Sequence, residues 1–335
     1  MNMLFVGGTG AVSTASSHET VSRGNNLWLL NRGTRNHRAP AQAHLIKADM
    51  EQMTDSDTSA IRSRSWDVVV NWQVFTPAQA IRDIEMFNGI VGHYIFISST
   101  AVYRRPQRGQ LITESDEMGN DYWSYGRDKA ACEEIFLKAH RGDGFPVTIV
   151  RPGHTYADFA LPTNIIGLGF GLIDRIINRE KVIFHDGGKT LWTLTHSEDF
   201  ARGLSGLYGN TETQGQSYHI TSSESASWNE ILMCYQNILN IEINQVDIPS
   251  TFIGEHSPRL GPTLLGDKAR DMTFDNGNIM SVVPDYKART GYMDGINRTV
   301  EWHFDNPDLI YFNPTIGDEI ERLINLYSHA SDQRL

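Results

Sequence analysis

The chain has 335 residues, 40% of them apolar and 21% charged, with a formal net charge of −11. That composition belongs to a globular protein large enough for one big domain or two unequal lobes. The acidity argues against a nucleic-acid backbone as the main partner, a local basic patch aside, and no run approaches the roughly 18 apolar residues that would span a membrane. Cys132 and Cys234 lie far apart without metal-like spacing, which argues against a disulfide framework and for a reducing, cytoplasmic compartment. Met1 to Val6 runs straight into glycines, so it reads as a buried first strand and not as a signal peptide.

Short runs rich in Val, Ile, Leu and aromatics follow at 4–6, 27–30, 44–46, 68–70, 94–97 and 148–150, each bounded by turn residues. Such runs predict fully buried parallel strands. The segments between them have crossover-helix length: one from the glycine turn to Arg23, then 77–87 and 124–141. Strand alternating with helix specifies an α/β fold, a doubly wound parallel sheet of Rossmann type, with a smaller C-terminal substrate lobe. The expected division is a dinucleotide-binding core over 1–153, to which later segments return, and a substrate lobe mainly over 154–328, interwoven with it. Within that lobe 210–221 reads as turn then strand, and 228–239 has helical apolar spacing. The stretch 249–278, rich in Gly, Pro and Asp, is expected to be loop-dominated, and the tail from about His329 to be frayed.

Gly7, Gly8, Thr9 and Gly10 directly follow the first strand and precede a helix through Ala11 and Val12. Glycines there allow a tight turn and close approach of a pyrophosphate, and the helix N-terminus offers unpaired N–H groups. Ser13 stands where a third glycine is usual. The second strand ends in Asn31 and Arg32; a neutral residue beside an arginine favours a ribose 2′-phosphate, hence NADP over NAD. Asp49 either meets an adenine amino group or caps a turn. Met50, Asn71, Trp72 and Lys129 extend the expected cofactor set.

Tyr125 and Lys129, four apart in a helical segment, share a face about one turn apart. A phenol of ordinary pKa near 10 is a poor base at neutral pH, and a nearby ammonium favours its ionised form. Residues 95–97 form a strand that runs into Ser98, Ser99 and Thr100, at the end that faces the ligand crevice in open α/β sheets. A hydroxyl there can hold a reacting oxygen beside the tyrosine.

With these residues the chain resembles the extended short-chain dehydrogenase/reductase family, which includes sugar epimerases and dehydratases. The resemblance runs from residue 1 to about 240 and rests on Gly7 to Gly10, Ser98 to Tyr103, the Tyr125/Lys129 pair, Arg151 to Gly153, Thr195 to Ala201 and Tyr218 to Ser222. It implies Ser99, Tyr125 and Lys129 as the catalytic residues, with Thr100 assisting, and places Arg151 to Gly153 along the nicotinamide end of the cofactor. It also implies a homodimer formed through the Tyr125 helix, with Ala130, Ala131, Ile135 and Phe136 on the partner face.

Departures from the family pattern narrow the chemistry. Thr100 and Ala101 stand where 4,6-dehydratases carry an Asp-Glu pair, so the acid and base for eliminating water are missing. His154 replaces an expected Asn, and Trp192 an expected Arg, which weakens a diphosphate site. Phe75, Trp123, His154 and Trp192 are therefore expected to line a more apolar, ring-stacking substrate pocket. His154, His185, His196 and Asp199 match no common ligand set, so no metal is expected. The expected activity is NAD(P)-dependent hydride transfer to or from a secondary alcohol or ketone of a sugar-like or cyclic polyol, a small-molecule substrate. The alternatives are an NAD-dependent sugar epimerase and, outside catalysis, a cofactor-sensing or RNA-associated binding protein on the same fold.

Overall fold

The computed structural model describes residues 1–104, 109–310 and 313–332. Six of the sheet strands are those expected from the pattern: β1 (Asn2–Val6), β2 (Asn26–Asn31), β3 (His44–Lys47), β4 (Trp66–Asn71), β5 (Val91–Ile97) and β6 (Val147–Pro152). A seventh returns from the second half of the chain. After β7 (His154–Tyr156), β8 (Lys181–His185), β9 (Leu191–Trp192) and β10 (Leu194–His196), strand β11 (Ser217–Ile220) pairs in parallel with β6. The sheet order is β11-β6-β5-β4-β1-β2-β3, so the direction of winding reverses between β1 and β4. Every pairing is parallel, and Met3 to Val6 and Val68 to Val70 are wholly buried. A strand covered on both faces can afford this unbroken apolar character.

Helices α1 (Ser13–Ser22), α2 (Asp55–Arg62), α3 (Pro77–Phe87) and α4 (Ser124–Asp143) connect the strands. The buried face of α1 is made of hydroxyls, Ser13, Thr14, Ser16, Ser17 and Thr20. Thr14 Oγ1 donates to the Gly10 carbonyl, Ser17 Oγ to the Gly8 carbonyl and Thr20 Oγ1 to the Ser16 carbonyl, each at 2.7–2.8 Å. Satisfied in this way, small side chains let the helix lie close to the sheet. Thr76 and Gln79 form a reciprocal N-terminal cap for α3, with Pro77 just inside. Gly144, at φ 70°, ends α4 in the left-handed conformation. Phe136 on α4 is wholly buried in the core, so it is not part of an outer partner face as expected.

The second lobe holds α5 (Gly171–Ile177), α6 (Ser197–Ser205), which packs on α1 and belongs spatially to the core, α7 (Trp228–Leu239) and α8 (Ser250–His256). Strand β12 (Ala226–Ser227) pairs with β9, and β13 (Asn244–Ile248) with β8. Trp192, Trp228, Leu232, Tyr235 and Ile296 anchor its core.

Two expectations are corrected here. The stretch 249–278 is not loop-dominated: it contains α8, a helical turn at Gly261–Thr263 and a π-helical turn at Leu264–Lys268. A Cβ on Gly261 would come within 2.7 Å of the Gly254 Cα; these glycines allow two backbones to touch and are not breakers. The tail is not frayed from His329, because helix Pro314–Asp332 runs past it and buries Ile316, Ile320, Leu323 and Ile324 at helical spacing. No helix among the described residues is long and apolar enough to cross a membrane.

Burial pushes the imidazoles of His93, His185 and His219 down to about 4. Below about pH 6.5 the unfolded chain takes up protons at these positions while the folded chain does not, so stability declines as pH falls through that window. Asp83, raised to about 6 by burial, has the opposite sign and offsets only part of the three. We expect the melting temperature to fall progressively from about pH 7 to about pH 4.5; a flat profile by circular dichroism would contradict these protonation states.

Candidate active site

A crevice of about 520 Å³ opens over the C-terminal ends of β1, β2 and β4, where the sheet winding reverses. Open α/β sheets receive ligands at such a switch point. The glycine turn forms its floor. Gly7 and Gly8 have φ of +108° and +93°, and a Cβ on Gly8 would lie 2.6 Å from Leu29 Cδ2. Both the left-handed backbone and the space require glycine there. In the place of a third glycine, Ser13 offers its Oγ to the Gly10 N–H at 2.9 Å.

The structure brings Gly7, Thr9, Gly10, Ala11, Val12, Asn31, Arg32, Asp49, Met50, Trp72, Lys129 and Pro152 to the crevice wall, as expected for a cofactor set. The residues fit a dinucleotide on an independent ground. Asn31 Nδ2 and Trp72 Nε1 are buried without a partner among the described residues, and both belong to the lining. Buried donors are rarely left unpaired, so these two mark where a polar ligand belongs. Asn71 and Gly153 do not line the crevice. Asn71 is buried, its amide donating to Asp83 and its oxygen accepting from the Gln73 N–H at 2.7 Å. Gly153 faces Thr221 and Phe274.

Tyr125 stands at the first turn of α4 and lines the crevice. Its phenol is raised above the ordinary value by burial, is lowered in part by a hydrogen bond with the Ser99 side chain, and is raised again by the charge of Asp267. Ser99 also accepts from the Ala101 N–H at 3.1 Å, which fixes its rotamer. Lys129 is buried, and desolvation lowers its ammonium to about 8. Its Nζ donates to the Val74 and Ile97 carbonyls at 2.6 and 2.8 Å and lies 5.9 Å from the Tyr125 ring centroid. The ammonium is thus held by backbone and not by the phenol, and Tyr125 sits above its ordinary pKa, contrary to the expected depression. Thr100 is buried in a short turn after β5, outside the crevice lining.

Of the expected substrate residues, Phe75 lines the crevice, its ring 4.7 Å from Lys129 Nζ. Trp123 packs against Tyr125 with ring centroids 4.7 Å apart and planes tilted by 36°, outside the crevice lining. Trp192 is buried in the second-lobe core, its indole N–H on the Lys268 carbonyl and the Lys268 ammonium on its face; packed on both sides, it cannot line the pocket. His154 is partly buried beside Trp192, with Nδ1 2.7 Å from Lys268 Nζ. Arg151 does not reach the cofactor end. It forms a buried ion pair with Glu133 at 2.5 Å and donates to Tyr103 at 2.6 Å.

Sequence reasoning missed Glu133, Arg35, Gln73, Gln79, Glu51, Asp267 and Lys268, and it named Ser98 without choosing it as the hydroxyl that reaches the crevice. Glu133 had a signal: Tyr125, Lys129 and Glu133 recur every four residues on one face of α4. Asp267 and Lys268 had none, because nothing in a stretch read as loop brings the Asp267 charge near Tyr125 or the Lys268 ammonium to His154.

The fold and crevice define a Rossmann-type α/β protein with a cleft at its switch point. The comparisons show what it is similar to. Residues 78–221 match the model of the NAD dependent epimerase/dehydratase family. The chain is 24% identical over 217 residues to a dTDP-glucose 4,6-dehydratase of Streptomyces niveus, covering 64% of this chain and 58% of that protein. It is 22% identical over 228 residues to its counterpart in Streptomyces antibioticus, covering 68% and 62%. The chain thus spans about three fifths of the length of these curated relatives. An epimerase structure from Methanothermobacter thermautotrophicus superposes with a TM-score of 0.77 at 16% identity, over 92% of this chain and 93% of that one. A UDP-glucuronic acid 4-epimerase from Bacillus cereus, solved with UDP-glucuronic acid and NAD, superposes with a TM-score of 0.74 at 15% identity, over 91% and 99%. The resemblance to the extended short-chain dehydrogenase/reductase family, in its NAD-dependent epimerase/dehydratase branch, is borne out.

Glu133 and Arg151 are buried together, so removing one partner strands the other. Glu133→Ala is expected to cost on the order of 3–5 kcal/mol, and Glu133→Gln combined with Arg151→Met markedly less than the sum of the single changes. Denaturant titration of Glu133→Ala, Glu133→Gln, Arg151→Met and the double variant measures this, and additive losses in the last three would show that the pair does not couple.

Proposed function

We propose that this protein is an NAD(P)-dependent oxidoreductase acting on a secondary alcohol or ketone of a sugar-like or cyclic polyol substrate. The observation that carries the reading is the Tyr125 phenol lining the same crevice as the glycine turn and Lys129, with the Ser99 hydroxyl near enough to act on it. A bound nicotinamide supplies the hydride acceptor or donor. Gly7 to Val12 would hold the pyrophosphate, and Asn31, Asp49 and Met50 the adenosine end. Tyr125 exchanges the proton of the reacting hydroxyl, and Ser99 orients that oxygen. Lys129 places a fixed positive charge beneath Phe75 and Tyr125, and a cofactor bearing a cationic ring adds to it. Both favour a phenolate that burial alone opposes.

Arg32 and Arg35, with Thr34 between them, stand at the ribose end of the crevice, and this supports a preference for NADP. A second enzymatic reading, epimerisation with retained NAD, draws on the epimerases among the structural neighbours. The dehydratase reading does not fit, since Thr100 and Ala101 are buried and carry no acid or base for elimination. The acid composition and the intact Ser99, Tyr125 and Lys129 also weigh against an RNA-associated role. The protein is expected to act in the cytoplasm as a homodimer.

Turnover is followed at the reduced-nicotinamide absorbance with NAD and NADP across a panel of polyols and hexoses. Tyr125→Phe should lower kcat by about 10²–10⁴-fold with cofactor affinity unchanged. Net absorbance change marks a dehydrogenase, and inversion without it marks an epimerase. Retention of full activity by the Tyr125 variant sinks the proposal. Calorimetry should show Arg32→Ala weakening NADP by about tenfold and leaving NAD unaffected; equal effects on both cofactors remove the phosphate contact.

A further inference from the structure

Beside the catalytic tyrosine the second lobe carries a buried ionic cluster that the proposed chemistry does not use. The π-helical turn Leu264–Lys268 packs directly on the segment leading into α4: Asn120 Nδ2 donates to the Gly266 carbonyl at 2.7 Å, and a Cβ on Gly266 would lie 2.9 Å from Trp123 Cβ. It ends in Asp267 and Lys268, whose side chains pair at 3.0 Å and are both buried. Lys268 Nζ rests 3.7 Å from the Trp192 ring centroid and reaches His154 Nδ1 at 2.7 Å. His154 is two residues beyond Pro152, which lines the crevice. Gly153 between them points the other way, toward Thr221 and Phe274. His154, just past Gly153, begins β7 and is itself only partly buried.

The chemistry of the contact is one-sided. An ammonium has three donors and no acceptor, so a lysine 2.7 Å from Nδ1 requires that nitrogen to carry the lone pair. The proton of the neutral ring is then on Nε2. Resting on the reading of the crevice as a redox site, we propose that Lys268 is a positioning residue that locks His154 in its neutral Nε2–H form. His154 thereby becomes a substrate-binding donor to a hydroxyl or carbonyl oxygen of an uncharged polyol ring. A ring that cannot take a second proton on Nδ1 holds this donor across the physiological pH range. Compensated by Asp267, the lysine does not act as an anchor for a diphosphate.

The groups facing His154 agree. From the π-helical turn come Lys268 and Asp267. From β8 comes His185, itself lowered to about 4 and bonded to the Lys268 carbonyl at 3.1 Å. From β9 and α7 come the rings of Trp192 and Trp228, edge-on at 6.0 and 5.8 Å. Burial and then the Lys268 charge hold His154 well below the usual histidine range, while Asp267 counters the effect of burial on Lys268. The Trp228 indole N–H is buried without a partner among the described residues, a second donor in the same cluster.

The test is made on the full chain labelled with ¹⁵N-histidine, the His154 signals being assigned by their loss in His154→Gln. Long-range ¹H–¹⁵N spectra should show a protonated ε nitrogen and a bare δ nitrogen, without titration between about pH 5.5 and 8. In Lys268→Met the His154 midpoint should rise by about one unit or more. Because that variant strands Asp267, the pair Asp267→Asn/Lys268→Met serves as the folded control and should show the same rise. A proton on Nδ1, ordinary titration in the parent protein, or variants indistinguishable from it would overturn the lock. Once a polyol substrate is in hand, the parent kcat/KM should be flat on the acid side and the variants should gain an acid limb. A locked His154 in a protein that turns over no polyol defeats the oxidoreductase reading alone; turnover with a freely titrating His154 defeats this inference alone.

Discussion

The arrangement of the site depends on one buried ion pair. Glu133 on α4 meets Arg151 on β6 at 2.5 Å in a region closed to water, where an unpaired charge is costly. Glu133 also accepts from Ser98 Oγ at 2.5 Å. Helix, strand β6 and the end of β5 are thereby bound at one point. Eight residues back along α4 stands Tyr125, Ser98 itself lines the crevice, and one residue beyond Arg151 stands Pro152. Three parts of the crevice wall that come from three separate chain segments are set by a single carboxylate.

Lys129 completes this frame. Two carbonyls, from Val74 and Ile97, and the faces of Phe75 and Phe96 surround its ammonium. Such an enclosure removes rotamer freedom before any ligand arrives, which is the part of catalysis a protein can complete in advance. The phenol is different. Its environment opposes ionisation, so a proton acceptor forms there only when further positive charge enters the crevice. The lysine's surroundings are preset and the tyrosine's reactivity is conditional.

Much of this was legible in the sequence. The parallel strands announced themselves because burial on both faces leaves no polar residue in Met3 to Val6 or Val68 to Val70. The glycine turn, Ser99, Tyr125 and Lys129 were legible because a strand end, a hydroxyl and a four-residue helical repeat are local patterns. What was not legible depends on contacts between distant segments. Trp192 reads as a pocket residue until β12 and the Lys268 ammonium are seen to cover it. Gly254 and Gly261 read as breakers until their backbones are seen to touch. Arg151 reads as a cofactor neighbour until Glu133, eighteen residues earlier, claims it. Lys268, more than a hundred residues from His154, carries no local signature at all.

The hydroxyl of Ser13, accepting the Gly10 N–H, has a consequence for the stability of the glycine turn. A phosphate loop with every amide pointing outward is unsettled until an anion fills it. This one is braced from within by Ser13, Thr14 and Ser17, so departure of the ligand leaves no vacancy that the backbone must rearrange to relieve. A loop already held in its final shape has little backbone freedom left to lose when anything docks against it.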